Sequence, residues 1–210
     1  MIAIIDYKAG NLTSVKLAFQ ALGVEAEITN DADTILAAER VVFPGVGAAG
    51  AAMAYLHETG LDDVVKTKIA TGDPFLGICF GMQLLFEFSE EDGGVPCLGI
   101  LPGQVKRFRS VHAKYKIPQM GWNSVTLKKS HPLLAGIEDQ SEFYFVHSYY
   151  PDSSDKTLII GQTDYAEANF SSIVGRGNVL ATQFHPEKSG RIGLKLLENF
   201  SRWDGGINEQ

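Results

Sequence analysis

Cys79 is one of only two cysteines in the chain and stands in Gly77-Ile-Cys-Phe-Gly81. The apolar run PFLGI at 74–78 reads as a strand ending at this cysteine, and the residues from Phe80 to Phe88 read as a helix that follows at once. G-x-C-x-G on a strand-to-helix turn has the form of a nucleophile elbow with Cys in place of Ser. Such a turn holds its nucleophile in a strained conformation over the sheet edge. Neighbours without side chains let backbone and substrate come close. The start of a helix favours the thiolate, the reactive form. The competing reading is a small buried hydrophobe at a strand end, since free cysteine is among the most buried residue types. Cys97, in VPCLGI, has no comparable setting and reads as structural.

A thiolate nucleophile needs a base, and the base needs a third group to orient it. Five histidines are available. His57 falls in a helical pattern, His112 in a charged loop and His131 before Pro132 at a turn, all surface or capping positions. His147, in FYFVHSYY, ends a strand and could line a site. His185, in TQFHPEKSG, is the strongest candidate. Pro186 pushes it toward extended geometry, where residues i and i+2 point the same way, so Glu187 projects with it and can orient the imidazole. H-P-E alone also fits an ordinary turn with an exposed Glu. Attack on a carbonyl further requires an oxyanion hole. One donor is the N–H of Phe80, after the nucleophile. The other is expected from an earlier strand-to-helix loop, and FPGVGAAG at 43–50 is such a loop, with Gly45 and Gly47 free to turn a peptide N–H toward the site. A phosphate cradle is the alternative there, but neither the P-loop lysine pattern nor G-x-G-x-x-G is present.

These residues have to be positioned by the rest of the chain. IAIID at 2–6 reads as a buried strand. Asn11 is placed to cap the next helix, with Leu12, Val15, Phe19 and Leu22 on one face and Gly23 at its stop. VEAEIT at 24–29 and RVVFP at 40–44 read as strands, and a helical stretch covers about 50–70. Strands alternating with helices imply an α/β fold with a mostly parallel central sheet covered on both faces. From about 98 to 183 the pattern changes to short strands and turns, read as added antiparallel structure. A final helix places Ile192, Leu196, Leu197 and Phe200 on one face. Cys79 and His185 both follow strands, at the carboxyl edge where such sheets bind ligands. No repeat, low-complexity tract or linker divides the sequence, so residues 1–210 are expected to form one domain.

Composition narrows the function. Net charge is −7 at pH 7, and the one basic cluster, KRFR at 106–109, is short and interleaved with apolar residues, which argues against a nucleic-acid surface. No run approaches the roughly 18 apolar residues of a membrane span. MIAIIDY lacks the features of a signal peptide, so a reduced, cytoplasmic setting is expected. No histidine pair stands near either cysteine at ligand spacing, and no metal or organic cofactor is expected.

PGVG at 44–47, GICFGMQ at 77–83 and HPE at 185–187, in this order and over nearly the whole chain, resemble the class I (triad) glutamine amidotransferases. The resemblance implies a Rossmann-like α/β fold and hydrolysis of the glutamine side-chain amide through a cysteinyl thioester, with ammonia released. It assigns Cys79 as nucleophile, His185 as base and Glu187 as orienter, and the oxyanion hole to Phe80 with Val46 or Gly47. It implies that Gln83 and the backbone at His147, Ser148 and Tyr149 hold the glutamine. Phe80 stands where the family more often has Leu, which leaves a backbone role intact. Within the class, DYKAGN at 6–11, PQMGWN at 118–123 and YFVHSYY at 144–150 are similar to the glutaminase subunits of imidazole glycerol phosphate synthases. That implies a heterodimer with a (β/α)8-barrel cyclase, faced by Asn11, Gln119, Tyr144 and Lys188. The alternatives are a glutaminase of another amidotransferase such as anthranilate synthase, a noncatalytic module on the same fold, or a peptide-cleaving cysteine hydrolase.

Overall fold

The structure, a computed structural model, describes residues 1–110, 112 and 115–206. The first half alternates strands and helices: β1 (Ile2–Ile5), α1 (Leu12–Ala21), β2 (Ala26–Thr29), α2 (Ala32–Ala37), β3 (Arg40–Gly45), α3 (Ala49–Thr59), α4 (Leu61–Ala70), β4 (Phe75–Cys79) and α5 (Phe80–Leu84). Short strands follow: β5 (Phe88–Ser89), β6 (Val95–Pro96), β7 (Gly103–Arg107), β8 (Gln119–Ser124), β9 (Thr126–Leu127), β10 (Glu142–His147) and β11 (Tyr149–Ser153). The chain then returns to the main sheet with β12 (Ile159–Tyr165), β13 (Ala168–Arg176) and β14 (Val179–Thr182), and ends in α6 (Gly190–Arg202).

The main sheet has the order β2-β1-β3-β4-β14-β13-β12-β9. Its first five strands are parallel and the last three join antiparallel. The mostly parallel α/β fold expected from the sequence is therefore present, with its antiparallel additions. Alternation along the strands sorts side chains to two faces. Ile2, Ile4, Val42, Leu76, Ile78 and Leu180 pack toward α1 and α6, whereas Ala3, Ile5, Val41, Phe43, Phe75 and Val179 pack toward α2, α3, α4 and α5. β1, β4 and β14 are buried at every position, which is why they read as continuous apolar runs.

Three local readings differ from the sequence expectation. α2 was not foreseen; it is one and a half turns long, capped by the Asp31 carboxylate accepting from Thr34 N–H at 2.8 Å. The helical stretch at 50–70 is two helices, divided at Gly60 in the left-handed region at φ 72°. α5 stops at Leu84 rather than running to Phe88. The chain at 98–101 takes its last carbonyls: Leu98 N–H donates to Leu84 O at 3.0 Å and Leu101 N–H to Leu85 O at 2.8 Å. Of the core side chains expected of α1 and α6, Val15, Phe19, Leu196, Leu197 and Phe200 are fully buried, whereas Leu22, just past the end of α1, and Ile192 are only partly buried.

Candidate active site

Because β1, β3, β4 and β14 run parallel, their carboxyl ends release four segments at one edge: Asp6–Asn11, Val46–Ala48, Cys79–Phe80 and Gln183–Lys188. Cys79 is the last residue of β4 and lies directly before α5. Its φ of 52° and ψ of −108° are a conformation side chains rarely adopt. The strain follows from close packing of α5 on β3. A Cβ added to Gly81 would lie 1.7 Å from the carbonyl oxygen of Phe43. Any side chain there would push α5 away, and Cys79 could not turn so sharply.

His185 comes from the segment after β14. It is 1% exposed, and its backbone is fixed by His185 N–H donating to Tyr144 O at 3.0 Å and by Ser189 Oγ donating to His185 O at 2.6 Å. Nδ1 faces Glu187 Oε1 at 2.7 Å. A carboxylate only accepts, so Nδ1 carries a proton, and Nε2 is left on the Cys79 side. Nε2 is buried, and the group it meets is the Cys79 thiol. Burial alone would lower the imidazole's pKa. The neighbouring Cys79 sulfur and the Glu187 carboxylate outweigh it and raise it well above the usual histidine value. The Glu187 side chain is fully buried, not the exposed turn residue of the alternative reading.

Asn11 does not cap α1. It adopts the left-handed conformation at φ 74° with no side-chain bond to the helix. Its Nδ2 instead donates to Glu187 Oε1 at 2.5 Å, across 176 positions of sequence. Asn11 therefore ties the β1–α1 loop to the orienting carboxylate.

Gln83, one turn into α5, donates from Nε2 to Tyr149 O at 2.9 Å and to Gln183 Oε1 at 2.8 Å. Gln183 Nε2 in turn lies 3.5 Å from Cys79 Sγ. The Tyr149 carbonyl also accepts from His147 Nδ1 at 2.7 Å. His147 is buried among Phe108, Phe145 and Phe170. Burial, helped by its proximity to His185, lowers its pKa to about 4, so it is neutral and acts by position. Ser148 O accepts from Phe108 N–H at 3.0 Å, joining the strand pair to the site.

The loop after β3 reaches the same place. Gly45 pairs in register with Cys79, which brings Val46 and Gly47 beside it. Val46 is 40% exposed and its carbonyl accepts from Gly10 N–H at 3.4 Å. Gly47 lies against the Phe80 ring. The first N–H groups of α3, immediately beyond, are capped by Glu91 and Asp92 at 2.9 and 3.0 Å.

Sequence reasoning missed three features. Gln183 stands two residues before His185, just past the end of β14, and that spacing was the available signal; Glu187 itself lies in the 3-10 turn Pro186–Lys188. Tyr7 packs on Phe43, with its buried hydroxyl against Gly45; nothing in IIDYKAG marks it. Met120 and Trp122 on β8 are 66% and 55% exposed, beside Tyr144, with buried Gln119 between the same strands. The alternation in PQMGWN carried that outward apolar face. Lys188 is exposed next to Glu187. Of the other histidines, His57 pairs with Asp62 at 2.9 Å and His112 lies near Glu167. His131 caps a turn as expected, its Nδ1 accepting from Leu133 N–H at 3.2 Å, but it is buried rather than superficial. Cys97 is half-buried, and burial pushes its thiol up to about 11, an inert setting.

The glutamine amidotransferase class-I family profile matches residues 3–202. The chain belongs to the class I glutamine amidotransferase family. Relatives within this family are similar over nearly their full length. The imidazole glycerol phosphate synthase subunit HisH of Dehalococcoides mccartyi (strain CBDB1) is 50% identical over 95% of this chain and 96% of its own. That of Nitrosococcus oceani is 49% identical over 97% and 98%. Among solved structures, PurLQS from Thermotoga maritima superposes with a TM-score of 0.75 at 16% identity, covering 95% of this chain and 96% of that one. At that identity the likeness shows the amidotransferase fold alone.

Proposed function

We propose that this chain is the glutaminase subunit of an imidazole glycerol phosphate synthase, residues 1–210 acting as one amidotransferase domain. It hydrolyses L-glutamine to glutamate and ammonia and passes the ammonia to a cyclase subunit, which makes imidazole glycerol phosphate and an aminoimidazole carboxamide ribonucleotide in histidine biosynthesis. The observation that carries the reading is Cys79 on its positive-φ turn beside His185, whose far nitrogen rests on buried Glu187 at 2.7 Å. The name shared by relatives at about half identity supplies the pathway.

The proton movements follow from the geometry. Cys79 Sγ, its proton held on His185 Nε2, attacks the side-chain carboxamide carbon. The carbonyl oxygen becomes an oxyanion, held by the N–H of Phe80 and that of Val46 or Gly47. Collapse breaks the C–N bond, the imidazolium gives its proton to the leaving nitrogen, and ammonia departs from a thioester. His185 then takes a proton from water. The hydroxyl attacks the thioester, and the C–S bond breaks with its electron pair going to sulfur. The imidazolium proton remains beside that sulfur as at the start, and glutamate leaves with its acid proton passing to water. Glu187, steadied by Asn11, holds the imidazole in the tautomer this requires. Gln83 and the His147–Tyr149 backbone bind the glutamine.

Ammonia in neutral water is mostly ammonium and no longer nucleophilic, so release must occur against a docked acceptor. We assign that partner as a (β/α)8-barrel cyclase. Its docking face is the exposed Met120–Trp122 pair with Tyr144, Lys188, Gln119 and Asn11, close to the triad. A cytoplasmic setting fits, and no described helix is long and apolar enough to cross a membrane. Glutamate release is measured with the chain alone, then with cyclase and its nucleotide ligand. Activity that rises with the loaded cyclase and vanishes in Cys79→Ala is expected. Strong release indifferent to the cyclase would overturn the pathway, and turnover by Cys79→Ala would overturn the chemistry.

A further inference from the structure

Gln83 and Gln183 form a chain from the Tyr149 carbonyl to the Cys79 sulfur, and its polarity is determined. A carbonyl oxygen cannot donate, so the Gln83 atom 2.9 Å from Tyr149 O is the amide nitrogen. The same nitrogen has a second proton and lies 2.8 Å from Gln183, so the Gln183 atom facing it accepts and is Oε1. Only the Nε2 end of Gln183 is then left to face Cys79 Sγ, at 3.5 Å. His147 Nδ1 occupies the other lone pair of Tyr149 O, which locks the far end. Gln183 is 0% exposed and Gln83 6%, so water does not compete for these contacts.

We propose that Gln183 is a further catalytic residue: its amide N–H stabilises the Cys79 thiolate, with a direction imposed through Gln83 by the Tyr149 carbonyl. The His185 imidazole and the buried Tyr7 hydroxyl also act on this sulfur, and a donor aimed at it favours the anion over the thiol. It serves twice on the pathway described above, on which its catalytic part rests. Before attack it raises the reactive fraction of Cys79. In thioester hydrolysis the C–S bond breaks and the sulfur takes the electron pair, and the same N–H receives that charge. The arrangement also leaves Gln83 Oε1 as an acceptor in the site.

The test is alkylation of Cys79 by iodoacetamide in the isolated chain, followed by peptide mass spectrometry with Cys97 as internal reference. Gln183→Met keeps length and burial but removes the donor. At neutral pH its Cys79 should alkylate about 10-fold more slowly than wild type, with the rate recovering at alkaline pH, where the thiolate forms unaided. With glutamine and loaded cyclase, kcat should fall about 10- to 100-fold, with KM nearly unchanged. If Gln183→Met does not fold, Gln83→Met breaks the relay one step earlier and should slow neutral-pH alkylation a few-fold, again with recovery at alkaline pH. Wild-type alkylation in both variants, or slowing by the same factor at every pH, overturns the proposal. The alkylation arm needs neither glutamine nor partner, so the relay can fail while the glutaminase reading stands, and the reverse.

Discussion

Replacing Cys79 with alanine and with glycine isolates the strain at the elbow. At an ordinary buried position, alanine to glycine removes one apolar carbon, about 0.8 kcal/mol, and adds about 0.5–1 kcal/mol of backbone entropy on folding. Glycine should then be the less stable variant by about 1.5 kcal/mol. Cys79 is not ordinary, since its φ of 52° and ψ of −108° burden any residue with a Cβ. Holding a non-glycine residue in such a region costs about 1–3 kcal/mol. Glycine relieves that cost and alanine retains it. The two contributions oppose, and Cys79→Gly is expected to lie between about 0.5 kcal/mol less stable and about 1.5 kcal/mol more stable than Cys79→Ala. In a chain of this size each kcal/mol moves Tm by about 2–4 °C, which scanning calorimetry resolves. Both variants should lack glutamine hydrolysis while remaining folded by circular dichroism. A glycine variant melting about 3–6 °C below the alanine variant would show that the turn stores no strain.

Glu187→Gln keeps a hydrogen-bond acceptor but removes the charge facing His185. Glutaminase kcat should drop about 10²- to 10⁴-fold, and the pH–rate profile should shift because the imidazole loses a group that raised its pKa; an unchanged rate and profile would refute the orienting role. Gly81→Ala drives a Cβ into the Phe43 carbonyl and should cost at least about 3 kcal/mol, seen as lost soluble yield or a much lower Tm. His131 and His147 are buried neutral, each lowered to about 4 by burial. Their folded values lie below the unfolded one, so their contribution is present above about pH 6.5 and is lost as pH falls toward 4. Urea unfolding of His131→Asn should therefore show a shallower decline in stability across that window than wild type. Trp122→Lys should weaken cyclase binding by about 30-fold or more if the residue is an interface anchor, without changing the Tm of the isolated chain.

The sequence alone determined the chemistry-bearing positions that depend on short-range pattern. Cys79 was legible because a strand, a turn and a helix start must occupy consecutive residues around an elbow. The His185–Glu187 pair was legible in H-P-E, but the extended backbone expected there is a 3-10 turn at Pro186–Lys188, and Glu187 reaches the imidazole across that turn. The parallel sheet was legible because strands buried on both faces must be apolar throughout. The tertiary structure decided what depends on partners distant in sequence. Asn11 looked like a helix cap, yet a carboxylate 176 residues away takes its amide. Gln183 lies 104 residues from the sulfur it faces and 100 from Gln83, and no local periodicity encodes such a pair. α5 ended early because a later segment claimed its carbonyls. Local pattern fixes which way a side chain leaves the backbone; only the closed sheet, which brings four strand ends to one edge, fixes what that side chain meets.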